Sequence, residues 1–341
     1  MEDLPSKANT MKAVIISKKG NIKYKEVQEP KTSNGYVKVK VKAAGLCGSD
    51  IQKIFSDKKA LKSIKTNVMG HEIAGIIHEI GNNVKMLKRG DKVVINPLIR
   101  DKSDDITKTK SLGKDFFGGF ADYVMVPYQN LRKIPIGITF EEATLVDSIA
   151  VAIHGYHLAN SPKSEEILIV GDGSLALITG IICLEFNNKV TIIGKNDNNL
   201  ALAKSFGITP VRDKNIKNLD KKYDIVFEVV GRKQDKTLQT AIHFIKPNGR
   251  VIVLGVFEKD FYGRIPLRKL FFKEGLIIGS NSYCSFKAKN EFDIAITLLK
   301  KLRTKFSKVI THVIPLKDFK TGLRSVRDKK NSKAIKIVFR P

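Results

Sequence analysis

A chain of 341 residues is long enough for two domains with cores of their own, and a hydrophobic content of 42% argues against disorder. No apolar run is long enough to span a bilayer, and the first ten residues lack the apolar stretch of a secretory signal. The three cysteines, Cys47, Cys183 and Cys284, lie too far apart in sequence to suggest a disulfide framework, so a cytoplasmic protein is expected. The formal net charge of +27 comes from lysines scattered along the whole chain, with no nucleic-acid-binding signature. Solvated faces and a diffuse field that attracts anionic small molecules are expected, rather than binding to nucleic acid or a membrane.

After a loose extension over residues 1–10, MKAVIIS from Met11 reads as a first strand. Up to about residue 130 the pattern is β-rich. VKVKVKAAG alternates with period two, and HEIAGIIHEIG and DKVVINPLI are short apolar runs bounded by Gly, Asn and Pro. The polar, charged residues 100–114 read as a long exposed loop. From about residue 160 strands and helices alternate. EEILIV is a buried strand, SLALITGIICLEF a helix that buries Cys183, KVTIIG a strand, and NDNNLALAKSFG a helix with a glycine stop. YDIVFEVVG, KTLQTAIHFIKPNG and RVIVLGV repeat the strand–helix–strand order, which implies a parallel sheet. The amphipathic helix NEFDIAITLLKKL and a final strand, KAIKIVF, complete the chain. The fold class is therefore α/β, a β-rich domain joined to a doubly wound parallel sheet.

Gly171-Asp172-Gly173-Ser174-Leu175-Ala176 follows EEILIV directly and opens a helix, the context in which a glycine-rich turn binds a dinucleotide. Gly171 permits the tight turn, Gly173 leaves room for the pyrophosphate, and Ala176 replaces the third glycine. The N–H groups at the start of the helix, near Ser174 and Leu175, face the phosphates. At the end of the next strand, where NAD enzymes carry a carboxylate for the ribose, stand Gly194 and Lys195. This pair favours NADP over NAD, because no acid repels a 2′-phosphate and a lysine attracts it. Asp197 is near enough in sequence to cap the ribose instead. Val229, Val230 and Gly231, and Leu254, Gly255 and Val256, fall at carboxyl ends of strands and are either cofactor-lining positions or plain sheet core.

Ala44-Gly45-Leu46-Cys47-Gly48-Ser49-Asp50 followed by Gly70-His71-Glu72 resembles the catalytic zinc motif of medium-chain, zinc-dependent alcohol and polyol dehydrogenases. The resemblance runs from Met11 over nearly the whole chain. It takes in Gly118-Gly119-Phe120-Ala121-Asp122-Tyr123-Val124 and the segment from Leu145 to His154, which is similar to the one carrying the last zinc ligand in polyol dehydrogenases. It implies a GroES-like catalytic domain at residues 1–155 and 288–341 and a Rossmann domain at 156–287. It implies one catalytic zinc held by Cys47, His71, Glu72 and Asp147, with Asp147 standing where an acidic residue, usually Glu, is found. The donor types suit zinc, which takes thiolate, imidazole and carboxylate and, in catalytic sites, keeps one position open. Such a metal is a Lewis acid toward the oxygen of an alcohol or ketone that exchanges hydride with the nicotinamide. Ser49 would relay the proton, and Cys47, Ser49, His71 and Glu72 form the expected catalytic set. Asp50 would orient the Cys47 loop.

Two departures from the family pattern stand out. Gln52, which cannot titrate, occupies a place where some relatives have a proton-relaying histidine, and residues 100–118 contain no cysteine, which excludes a structural four-cysteine zinc. The acidic fourth-ligand segment implies polyol or sugar substrates, and Gly171-Asp172-Gly173 with Gly194-Lys195 is similar to the NADPH-linked pentitol-phosphate dehydrogenases. A homodimer or homotetramer is implied, joined through sheet edges near LIIGSNSY. Two other classes stay open: a zinc-free quinone or enone reductase of the same superfamily, and a non-catalytic cofactor-binding protein on the same fold.

Overall fold

In the computed structural model, which describes residues 9–100, 108–160, 162–220, 222–286 and 289–341, the period-two segment becomes the strand Tyr36–Gly45. It pairs antiparallel with Glu72–Ile80 on one side, and with Lys336–Arg340 and Tyr123–Pro127 on the other. Glu72–Ile80 in turn pairs with Lys92–Ile95, and that strand with Leu131–Lys133. With neighbours on both sides, Tyr36–Gly45 buries even Lys38, whose ammonium meets Glu79 at 2.8 Å and Glu29 at 3.4 Å. The lysine-rich DKKALKSIK forms the short helix Lys58–Ser63, capped by Asp57, with Leu61 buried and Lys58, Lys59 and Lys62 exposed. Residues 1–8 of the expected extension and 101–107 of the expected loop lie outside the described residues; the rest of that loop is partly ordered, for Lys110–Ser111 pairs antiparallel with Leu98–Ile99 and Leu112 is buried.

The alternating half of the chain forms a six-stranded sheet, parallel throughout. Its order is Thr209–Arg212, Lys189–Gly194, Glu166–Val170, Tyr223–Glu228, Ile245–Val253 and Leu276–Gly279. The strand order reverses between Glu166–Val170 and Tyr223–Glu228, and in open parallel sheets ligands bind in the crevice beyond the carboxyl ends at such a point. The strands read as unbroken apolar runs because helices cover both faces, and Leu168, Tyr223, Val226, Ile242 and Val251 are fully buried there. One boundary differs from the sequence expectation. KTLQTAIHFIKPNG is helical only over Lys236–Phe244, and Ile245 already pairs with Tyr223. The chain then bulges, with Asn248 at φ +58°, and resumes register at Arg250 against Ile225.

By its internal contacts the chain divides into two compact units. One comprises Met1–Leu145, His312–Arg324 and Lys336–Pro341, the other Val146–Thr311 and Ser325–Ile335. These limits differ from the 155 and 288 of the sequence reading. The helix Leu145–Leu158 carries His154 and His157, which bond Glu291 at the start of the helix Glu291–Lys301. Lys301 in turn pairs with Glu185 of the helix Ser174–Glu185 at 2.5 Å. These helices therefore belong to the parallel-sheet unit, and the return to the first unit comes only at His312. Among the described residues no helix is long and apolar enough to cross a membrane.

Candidate metal and cofactor sites

Strand register assembles the metal donors. Gly45 is paired with Glu72, so the end of one strand and the start of the next meet at the same edge. Cys47 follows two residues after Gly45, and His71 directly precedes Glu72. The donor atoms of Cys47, His71 and Glu72 all lie within 4.8 Å of one another. Gly45 is required at this crossing, because a Cβ there would stand 2.1 Å from a Glu72 carboxylate oxygen. Cys47 also caps the helix Gly48–Phe55, and its N–H donates to Asp50 Oδ2 at 3.3 Å. Asp50 is buried, and its other oxygen lies 3.6 Å from His71 Nδ1, so one carboxylate positions both the cysteine loop and the imidazole. Ser49 Oγ lies 3.4 Å from Cys47 Sγ. The Gly118-Gly119-Phe120 motif supports the His71 turn through main-chain bonds to Val68, Met69 and Gly70.

The electrostatics of this cluster suit a cation. Burial opposes charge on His71, but Asp50 and Cys47 outweigh it and hold the imidazole's pKa well above the ordinary value. Asp50 is shifted the other way: His71 and Lys53 overcome its burial and lower its pKa. A thiol, an imidazole and a carboxylate converge where buried positive charge is favoured, and this is the donor set of zinc. Sequence reasoning missed one residue here. Lys336, almost fully buried on the last strand, forms an ion pair with Glu72, donating to Oε1 at 2.5 Å. The carboxylate expected as a metal ligand thus has a built-in counter-charge; the one available signal was a lysine set between apolar residues in KAIKIVF. Asp147 belongs to the second unit, on the helix Leu145–Leu158, where it is buried and accepts a 2.9 Å bond from Tyr283.

In the second unit Gly171 adopts φ +127°, and Gly173 caps the helix that begins at Ser174 and Leu175. A Cβ built on Gly173 would meet nothing within 4 Å, which leaves the open approach a pyrophosphate needs. At the end of the second strand the structure corrects the premise of a missing acid. Gly194 carries no side chain because Asp172 takes its place: a Cβ at Gly194 would lie 2.4 Å from the Asp172 Cβ. The Asp172 carboxylate accepts from the N–H groups of Lys195 and Asn196, both at 2.7 Å, and from the Asn196 side chain at 2.9 Å. Lys195 itself extends into solvent 3.5 Å from Asp213, and Asp197 is engaged by Arg212. Lys329 is also close enough to feel Asp172: burial lowers its pKa, Asp172 raises it and Arg232 lowers it further.

Val230 follows the strand Tyr223–Glu228; its N–H donates to Glu228 Oε1 at 3.0 Å, and its side chain packs over Gly171. Gly255 follows Ile245–Val253, where a Cβ would lie 2.3 Å from both Glu228 Oε2 and the Gly231 nitrogen. Val230, Gly231 and Gly255 therefore form one turn cluster around the buried Glu228 carboxylate, at the carboxyl edge beside the glycine loop.

A metal-donor set of cysteine, histidine and glutamate, together with a parallel sheet whose first turn is glycine-rich, defines the class of metal-assisted nicotinamide dehydrogenases. Comparison with known proteins agrees. The family model described as alcohol dehydrogenase GroES-like domain matches residues 33–136, and that described as zinc-binding dehydrogenase matches 175–301. Galactitol 1-phosphate 5-dehydrogenase of Escherichia coli is 26% identical, over 93% of this chain and 96% of that protein. Sorbitol dehydrogenase 2 of Saccharomyces cerevisiae is 28% identical, over 91% and 92%. The crystal structure of galactitol-1-phosphate dehydrogenase from Escherichia coli superposes with a TM-score of 0.85 at 25% identity, covering 97% of this chain and 100% of that one. The chain belongs to the zinc-type medium-chain dehydrogenases, a family of oxidoreductases.

Proposed function

We propose that this protein is a zinc-dependent dehydrogenase of a polyol or sugar-alcohol phosphate, exchanging hydride between its secondary alcohol, or the corresponding ketone, and NADP(H) in preference to NAD(H). The observation that carries the reading is the convergence of Cys47, His71 and Glu72 at one strand edge, with Asp50 behind and Ser49 beside them. In this reading Cys47 and His71 hold the metal. Glu72, restrained by Lys336, is a third donor or yields its place to solvent. Bound zinc supplies Lewis acidity toward the substrate oxygen, and the nicotinamide accepts or returns the hydride. Ser49 holds the proton at the substrate oxygen. Gln52, which is buried and cannot titrate, does not carry that proton onward.

Gly171, Gly173, Ser174 and Leu175 receive the pyrophosphate, and Gly194, Lys195, Val230 and Gly255 border the rest of the cofactor. The NADP preference rests on the way Asp172 is used. Oδ2 of Asp172 is turned toward three N–H donors of Lys195 and Asn196, while Lys195, Arg232 and Lys329 place positive charge in the same region. The polyol class is supported by the galactitol-1-phosphate and sorbitol enzymes among the relatives, and the phosphate by the net charge of +27 and the galactitol-1-phosphate enzyme alone. A homodimer is proposed through the sheet edge Leu276–Gly279, beside which Phe271, Phe272 and Leu276 are exposed.

The test is a metal analysis with NADPH and NADH titrations on wild type and Cys47→Ala, followed by a screen of sugar alcohols with and without phosphate. The reading expects about one zinc at this site, lost in the variant, tighter NADPH binding, and turnover that falls when the phosphate is removed. Cofactor binding without zinc would instead place the protein with the zinc-free reductases. Equal turnover of the free polyol would rule out the phosphorylated substrate.

A further inference from the structure

The second unit contains another convergence of zinc-type donors, remote in sequence from the first. The helix Leu145–Leu158 places Asp147 and His154 seven residues apart, two turns along one face, with His157 one turn further on. The segment just before the helix Glu291–Lys301 runs along that face. The Tyr283 hydroxyl donates to Asp147 at 2.9 Å, and the next residue, Cys284, brings its sulfur to 3.9 Å from His154 Nδ1. Glu291 is fully buried, and its two oxygens are shared out: Oε2 lies 2.9 Å from His154 Nδ1 and accepts the Cys284 N–H at 2.7 Å, while Oε1 lies 2.7 Å from His157 Nδ1. The donor atoms of His154, Cys284 and Glu291 lie within 4.8 Å of one another.

We propose that His154, Cys284 and Glu291 form a second binding site for a divalent cation of the zinc class, with His157 as the positioning residue that fixes Glu291. Three features support it. The donors are one imidazole nitrogen, one thiol sulfur and one carboxylate oxygen, a set that zinc prefers and that magnesium or calcium does not. Tetrahedral zinc, with ligand bonds of about 2.0–2.3 Å, spaces its donors about 3.5 Å apart, and the observed 2.9 and 3.9 Å bracket that figure. Lastly, a ligating carboxylate held through its other oxygen by a histidine and through its bound oxygen by a main-chain N–H is the outer support that metal ligands characteristically have. In the metal-free chain a hydrogen bond between His154 Nδ1 and Glu291 Oε2 joins the same atoms. On cation binding Cys284 would ligate as thiolate, its proton going to solvent, while His154 would ligate as neutral imidazole; no oxidation state changes and no redox partner is needed. The helix Leu145–Leu158 and the segment at Tyr283–Cys284 would then be clasped by the ion.

The experiment is a Co2+ titration of the full chain, stripped of metal by chelator, read by metal content and by the thiolate-to-cobalt absorption band. It uses wild type, Cys47→Ser, Cys284→Ser, His157→Gln and the double variant Cys47→Ser/Cys284→Ser. The proposal expects two equivalents in wild type, one in Cys47→Ser with a surviving thiolate band, and none in the double variant. His157→Gln should weaken the second equivalent roughly 10–100-fold while leaving the first unchanged. A folded Cys47→Ser chain that binds no cobalt overturns the proposal, as does a second equivalent whose band persists undiminished in Cys284→Ser. If wild type binds a single equivalent that Cys284→Ser loses and Cys47→Ser keeps, the second site stands and the catalytic reading of Cys47 falls. Should the double variant fail to fold, the Cys47→Ser result decides the matter alone.

Discussion

The ion pair between Lys336 and Glu72 offers the most direct test of how the first unit holds its metal donors. Their side chains are 1% and 0% exposed, so the screening that reduces surface pairs to below about 1 kcal/mol does not apply. Lys336→Met keeps much of the volume but removes the ammonium facing the buried Glu72 carboxylate, and breaking such a buried pair costs about 3–5 kcal/mol. For a unit of this size each kcal/mol moves the midpoint by about 2–4 °C, so a drop of roughly 10 °C is expected. The assay is urea and thermal unfolding with chelator present, which keeps metal binding out of the comparison. The double variant Glu72→Leu/Lys336→Met removes both charges and should recover most of the loss, because two well-packed apolar groups replace a costly buried pair. A loss below about 1 kcal/mol for Lys336→Met, or a double variant as unstable as the single, would refute the claim that Lys336 compensates Glu72.

Gly45→Ala should destabilise the chain by about 1–3 kcal/mol and weaken metal retention, since the new methyl meets the Glu72 carboxylate; unfolding curves and metal content check both. Gly194→Ala should displace Asp172 and loosen nicotinamide binding about tenfold or more by titration, whereas the same change at the exposed Gly137, with nothing near its Cβ, should leave cofactor affinity unaltered. Arg340 donates to Glu141 at 2.6 Å, and although burial opposes it this contact helps hold the Glu141 carboxyl below its ordinary pKa of 4.5. The stability it contributes is present above pH 4.5 and is lost as the pH falls through the lowered folded value. Arg340→Gln should therefore cost stability at pH 7 and progressively less as the pH falls below 4.5, as measured by denaturant midpoints. Leu276→Lys at the exposed sheet edge should shift the protein from dimer to monomer in light scattering if that edge is the interface.

The sequence made readable what depends on local pattern. Alternation announced Tyr36–Gly45, unbroken apolar runs announced the parallel strands, and the glycine turn after EEILIV marked the cofactor end of the sheet. Features set by long-range pairing stayed hidden. Nothing near Gly194 in sequence reveals that its acid comes from Asp172, because the two meet only when adjacent parallel strands align. Lys336 reads as one more lysine of sixty-one basic residues until its strand is placed beside Gly45. The grouping of His154, His157, Cys284 and Glu291 was equally invisible, since it needs a helix and a distant segment brought side by side. The unit limits by contact differ from 155 and 288 for a related reason: Glu291 and Lys301 bond side chains of the helices Leu145–Leu158 and Ser174–Glu185, which order along the chain does not reveal.

The first unit is also threaded unusually. Its metal donors are made early, but the lysine that neutralises Glu72 arrives 264 residues later, after the entire parallel-sheet unit has been synthesised. The metal-donor edge is therefore completed only when the last strand pairs beside Gly45, so a chain truncated before Lys336 keeps Cys47, His71 and Glu72 but loses the ammonium that faces Glu72.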